Sequence, residues 1–174
     1  MTNPQPGSRR PPAEPDREAA ARMWADYLRE HAEHRHDEPP SEWFGDSAAL
    51  ADELLDLVLH GPKRATAASV EEYLHTGEPL PRIGSHWIAH DGDGRPRAII
   101  RSIELRIGPL DSVDAQFAWD EGEDDRSLES WLRNHRRYFQ RQLPSIGLEF
   151  HEQMETMFER FRVAWPPEYA DAAS

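Results

Sequence analysis

At 174 residues the chain is the length of a single domain and long enough to enclose a real core. It has no cysteine, which excludes disulfide scaffolds, thiolate metal sites and cysteine nucleophiles. No run of about 18 apolar residues is present, so a soluble, cytoplasmic protein with no membrane partner is expected. A formal net charge of −13 repels phosphate backbones, which argues against a general nucleic-acid binder but is compatible with a small nucleoside carrying few phosphates.

Residues 1–14 are rich in proline and poor in apolar side chains, which predicts a disordered tail. Between Asp16 and about Glu33, the residues Ala20, Met23, Trp24, Tyr27, Leu28 and His31 recur at helical spacing, and Asp16 is a fitting cap. This segment, 15–40, reads as an N-terminal docking helix and its exit. His31, His34 and His36 near its end raise a metal reading, but no recognised ligand pattern completes it, and no metal ligand is assigned. Pro39 and Pro40 break the chain. Trp43 and Phe44 then form an apolar knot that either packs on the core or offers a wall for stacking a base.

Ser47 caps a second helix with Leu50, Leu54, Leu57 and Val58 on one face, and Gly61 and Pro62 stop it. Lys63 and Thr66 follow on a tight connection or the start of a strand. The spacing by itself suits a solvated lysine and an ordinary strand threonine equally well. A short helix from Val70, a strand over Ile83–His90, a DGDG turn and a strand over Arg95–Ile107 come next. In the latter, Ile99, Ile103 and Ile107 share one parity, which predicts a mostly buried strand. DGDG lacks the remaining ligand positions of a calcium loop. Asp111 is read as the cap of a helix ending near Glu121 and Gly122. The acidic run EGEDD leads to Ser127 and an amphipathic helix carrying Leu128, Trp131, Leu132, His135, Tyr138 and Phe139. MFERFRVAW closes the fold as a strand with Met157, Phe161, Val163 and Trp165 on one face, and 167–174 reads as a tail. Strands without βαβ alternation predict α+β architecture: a small curved or closed antiparallel sheet with helices outside.

Four separated segments carry a resemblance: WFGDS at 43–47, G-x-K-x-x-T at Gly61, Lys63 and Thr66, DRSLESW at 125–131, and FRV at 161–163. Over about 41–166 the chain resembles the ASCH-domain family, and within it the longer branch in which an acidic segment precedes DRSLE-x-W. The resemblance implies a PUA-like antiparallel β-barrel flanked by helices, with a cleft at its mouth that binds RNA or a modified ribonucleoside and has no DNA specificity. Small members of the family are amidohydrolases acting on N4-acylated cytidine through a lysine, a threonine and a glutamate, and these fall on Lys63, Thr66 and Glu121. Members of the longer branch have been described as ribonucleases. One departure is Ala68, where the small amidohydrolases carry an arginine.

Three functions compete on this reading. In a hydrolase, Lys63, Thr66 and Glu121 are catalytic, with Trp43, Phe44, Arg64 and Ser127 contacting substrate and no cofactor needed beyond a divalent metal if RNA is cleaved. In a non-catalytic module, Lys63 supplies only charge to RNA or a nucleotide. In the third, Lys63 and Glu121 form a structural ion pair. Desolvation of Lys63 would favour its use as a base, whereas a charged Glu121 beside it would oppose that use.

Overall fold

The computed structural model describes residues 9–172 of the chain. The expected tail residues 1–8, and 173–174 of the expected C-terminal tail, lie outside the described residues. Five helices and five strands alternate irregularly: α1 (Arg17–Leu28), β1 (Ser41–Glu42), α2 (Ala48–His60), β2 (Ala65–Ser69), α3 (Val70–Thr76), β3 (His86–His90), β4 (Pro96–Pro109), α4 (Ala115–Glu121), α5 (Leu128–Ser145) and β5 (Glu155–Trp165). The strands form one mixed sheet in the order β1-β3-β4-β5-β2. The α+β class is therefore the one expected, with one difference. The two-residue β1 runs parallel to β3, Ser41 opposite Ile88, so the sheet is not purely antiparallel.

Packing divides the described residues into two compact units, the first made of 9–59, His86–Ile100 and 163–172, the second of His60–Ser85 and Arg101–Arg162. In the first unit the apolar stripe of α1 puts Ala20 and Tyr27 against Ile88 and Ile99, with Met23, Trp24 and Trp165 at the margin. Asp16 caps this helix by accepting from the Ala19 amide at 2.9 Å. The helix stops at Leu28, short of the expected end near Glu33, and a separate 3-10 turn follows at Ala32–His34. Ser47 caps α2 through the Leu50 amide.

The DGDG turn is held by its own carboxylates. Asp91 Oδ1 accepts from the amides of Asp93 and Arg95, and Asp52 of α2 accepts from the Gly92 amide at 2.7 Å. Those oxygens serve the turn, which agrees with the hairpin reading over a calcium loop.

The tail reading fails where residues are described. Ala13 N–H donates to Gly92 O, Asp16 N–H to Gly94 O, and the Arg10 carbonyl accepts from the Ala48 amide. A Cβ on Gly94, whose φ is +80°, would lie 2.2 Å from Glu14 O, so the chain approaches the hairpin as closely as glycine permits. Backbone bonds order this segment in place of the apolar side chains it lacks. The C-terminal segment is anchored in the same way: Asp171 N–H donates to Val163 O, and the Asp171 carboxylate accepts from the Val163 amide at 2.8 Å.

In the second unit, β2 pairs antiparallel with β5, Ala65 opposite Arg160 and Thr66 opposite Glu159. The core gathers Ala65, Leu110, Val113, Phe117, Trp131, Phe139, Met154 and Phe158. Both faces of β5 are buried here, Met157 on one and Phe158 on the other, and its edges are paired because the strand is interior to the sheet. Asp114, not Asp111, caps α4 by accepting from the Phe117 amide at 2.8 Å; Asp111 sits in a preceding 3-10 turn. Ile103 and Ile107 are 50 % and 48 % exposed, against the expectation of burial. Glu104 and Arg106 on the opposite parity are exposed as well, so neither face of β4 is fully covered after Ser102.

Candidate active site

Lys63 is placed by two fixed neighbours. Gly61 and Pro62 end α2, and the Arg64 amide donates to Asp120 O at 2.8 Å, which sews this connection to the last turn of α4. That helix ends on Gly122 at φ +70°, where a Cβ would sit 2.8 Å from Lys63 N and 2.9 Å from the Pro62 carbonyl carbon. Glycine is thus required twice, by its left-handed backbone and by the close approach. Gly122→Ala is expected to lower the unfolding free energy by about 1–3 kcal/mol from backbone strain alone. A melting temperature unchanged from the parent would refute this account of the junction.

This junction carries Lys63 to Glu121 and Glu123. The ammonium donates to Ala65 O at 3.0 Å, to Glu121 Oε1 at 3.3 Å and to Glu123 Oε1 at 2.6 Å. Lys63 and Glu121 are almost fully buried, while the Glu123 side chain is 25 % exposed. The loop after Gly122 includes Asp124 and Arg126 at positive φ, each tied down by its side chain. Asp124 accepts from Ser130 Oγ and Asn134, and Arg126 donates to Trp119 O with its guanidinium over the Trp119 ring.

Helix α5 completes the surroundings of Glu121. Trp131 Nε1 donates to Glu121 Oε2, and His135 Nε2 lies 3.0 Å from Glu121 Oε1. One turn apart, the Trp131 and His135 rings stack with centroids 3.7 Å apart. His135 Nδ1 is 2.9 Å from Trp131 O. Both ring nitrogens face acceptors, an arrangement that an imidazolium satisfies fully and a neutral ring only half.

Electrostatics follow from this geometry. Burial opposes the charge on Lys63, but Glu123 and Glu121 outweigh it and raise the lysine pKa above its ordinary value. Burial likewise pushes Glu121 upward, yet His135, Lys63 and the Trp131 donor overcome it and bring the carboxyl down to about 2. His135 is raised above the usual imidazole value, its desolvation outweighed by Glu121 and, more weakly, Glu123. The geometry thus favours the charged forms of Lys63, Glu121 and His135 over their neutral ones. Lys63 is consequently a fixed cation here, and the role of general base does not suit it.

The remaining candidates separate. Thr66 lies on β2 directly opposite the buried Glu159, and cross-strand partners share a face. Glu159 Oε1 accepts from Ser102 Oγ at 2.5 Å. Arg64 is half-buried and donates to the Lys63 carbonyl at 2.7 Å. Ser127 acts as the N-cap of α5, its Oγ accepting from the Ser130 amide at 3.1 Å. Phe44 is buried edge-on to Trp87, ring centroids 5.0 Å apart, and is a core residue of the first unit with no face open for stacking a base; Trp43 is half-buried. Glu123, Trp131 and His135 escaped the sequence reading as site residues. The available signal was the Trp-x-x-x-His spacing on α5, which is also the spacing of a core stripe.

A mixed sheet with helices packed on it and a buried lysine–glutamate centre defines a PUA-like α+β domain. The sequence profile described as the ASCH domain matches residues 41–164. The chain belongs to the ASCH domain family. It is similar to the ASCH domain from Lactobacillus crispatus JV V101, whose crystal structure superposes with a TM-score of 0.77 at 29% identity, covering 86% of this chain and 96% of that one. A protein from Enterococcus faecalis V583 is similar too, with a TM-score of 0.73 at 32% identity over 84% of this chain and 88% of its own. No protein of curated function matches. Among the described residues no helix is long and apolar enough to cross a membrane.

Proposed function

We propose that this ASCH domain binds RNA or a modified ribonucleoside at the Lys63–Glu121 centre and, where the ligand is RNA, cleaves its phosphodiester in the manner of a ribonuclease. The observation that carries the reading is the position of Lys63, a cation held inside the protein whose ammonium donates at 2.6 Å to the partly exposed Glu123. A phosphate oxygen of the substrate can take the place of that carboxylate on the ammonium. The charge needed by the transition state is then already in place, in a medium where it acts strongly. Glu123, once displaced, accepts the proton of the 2′-hydroxyl as the 2′-oxygen attacks phosphorus. The P–O5′ bond breaks, the proton passes to the leaving 5′-oxygen, and a 2′,3′-cyclic phosphate remains for water to open. Glu121 holds Lys63 and His135 in position, its low pKa making it a poor base.

A second reading, an amidohydrolase of N4-acylated cytidine, draws support from Thr66 standing opposite Glu159. There the carboxylate, and not Lys63, would take the threonine proton as the hydroxyl attacks the acyl carbon; the N4–acyl bond breaks, the proton passes to the leaving cytosine amine, and water then hydrolyses the Thr66 ester to free the acid.

Incubating purified protein with short single-stranded RNAs and with N4-acetylcytidine separates these readings. Cleavage of RNA, lost in Glu123→Gln, supports the first. Release of acetate from the nucleoside, lost in Thr66→Val, supports the second. Tight binding of RNA with no turnover of either substrate would leave a non-catalytic module. Generic RNA affinity is expected to be weak at physiological salt, because the net charge of −13 opposes approach.

A further inference from the structure

The first unit contains a group of side chains that the proposed hydrolytic centre does not use. His34 at the end of the 3-10 turn, Asp37 in the loop beyond it, and His86 at the start of β3 converge, one ligand atom from each lying within 4.8 Å of the others. His34 Nδ1 is 3.2 Å from Asp37 Oδ2, and His86 Nδ1 is 3.7 Å from the same oxygen. The His34 and His86 rings meet edge-on with centroids 4.5 Å apart.

We propose that His34, Asp37 and His86 form a binding site for a divalent cation of the zinc class, with a fourth position open to water or an exogenous ligand. Two imidazoles and one carboxylate are a donor set that zinc accepts. Bonds of about 2.05 Å in a tetrahedron place neighbouring ligand atoms about 3.3 Å apart, and the two measured separations to Asp37 bracket that edge. A shared proton can bridge only one of these pairs at a time, whereas a cation in the centre satisfies all three groups together.

The surroundings suit ligation. The Tyr27 hydroxyl lies 3.0 Å from His86 Nε2. With the proton on Nε2 donated to Tyr27, the Nδ1 lone pair is turned toward the cluster, and Tyr27 acts as the outer-shell partner that fixes the ring. Tyr27 and the His86 side chain are themselves buried, so this half of the site is rigid. On the other half, Glu33 Oε1 stands 3.6 Å from His34 Nε2, at the rear of the second ligand. Asp37 is exposed enough to admit the ion. Once bound, the cation joins the segment after α1 to the start of β3 without any further side chain.

The test uses the full chain, purified without a histidine tag and treated with chelator, then titrated with Zn2+ alone and with Co2+. One ion per chain is expected, with the intense visible absorption of four-coordinate Co2+. His34→Gln and Asp37→Asn should each weaken Zn2+ binding by at least about 100-fold, more than an outer-shell change produces, and Tyr27→Phe by about 10-fold. His36→Gln, outside the cluster, should leave binding unchanged. His86→Gln is read only beside its circular dichroism, since the residue is buried. Absence of stoichiometric binding in the parent chain, a weak six-coordinate Co2+ spectrum, or affinity retained in both His34→Gln and Asp37→Asn would overturn the proposal.

Discussion

Lys63→Met is expected to cost about 3–5 kcal/mol of unfolding free energy and to abolish the proposed hydrolysis. The sequence alone suggests that methionine, with a similar stem, would remove only the charge and leave the fold undisturbed. The structure changes that expectation. Glu121 is buried beside Lys63, and deleting the cation leaves its carboxylate to Trp131 and His135 with Glu123 close by. Stranding a buried charge costs more than the pair contributes in net terms.

The pH dependence distinguishes this mechanism from simple loss of packing. In the parent chain Glu121 stays ionised down to about pH 2, whereas in the variant its pKa moves back up. The difference in stability between the two proteins should therefore be largest at neutral pH and shrink as pH falls from about 4.5 toward 2. Denaturant unfolding at a series of pH values measures it. A constant difference across that range would mean that the lost methylene and ammonium contacts, and not charge, stabilise the fold.

Local chemistry made the element boundaries legible. Asp16 and Ser47 are caps in the structure because a short acceptor before an apolar stripe has few other uses, and Gly122 ends α4 because nothing else fits a left-handed residue against Pro62 and Lys63. Asp111 misled because Asp114, three residues on, offers the same oxygen, and choosing between them requires knowing where Pro109 directs the chain. Alternation in β4 identified a face but not how far along the strand that face is covered, so Ile103 and Ile107 were misjudged. The meeting of Lys63 with Glu121 could be anticipated only through the family motif, since 58 residues separate them. His135 was hidden by its periodicity, for the spacing that presents it to Glu121 also presents Phe139 to the core. The cluster of His34 and Asp37 with His86 depends on a strand far along the chain meeting the exit of α1, and no spacing rule records such a meeting.

His135 is expected to titrate above pH 6.5 in the parent chain and at or below that value in Glu121→Gln. Its two nitrogens lie 2.9 Å from Trp131 O and 3.0 Å from Glu121 Oε1, and the Glu121 charge is the largest favourable influence opposing its burial. Glutamine removes the charge while burial stays, so the balance reverses. The consequences for stability differ in sign on the two sides of neutrality. The His135 contribution, from a raised pKa, is complete below pH 6.5 and is lost as pH rises through the folded value. The Glu121 contribution, from a pKa lowered from 4.5 to about 2, is complete above pH 4.5 and is lost as pH falls toward 2. That shift corresponds to about 3 kcal/mol for a fully buried group, a large share of a marginal total. Glu121→Gln should accordingly be less stable than the parent at pH 7, show a flatter acid limb, and lose the decline on the alkaline side. Histidine NMR titration together with melting curves between pH 2 and pH 9 tests both limbs. A His135 resonance in the parent chain that titrates at or below pH 6.5 would mean that a neutral imidazole donates to Glu121, and the second cation assigned to this centre would have to be abandoned.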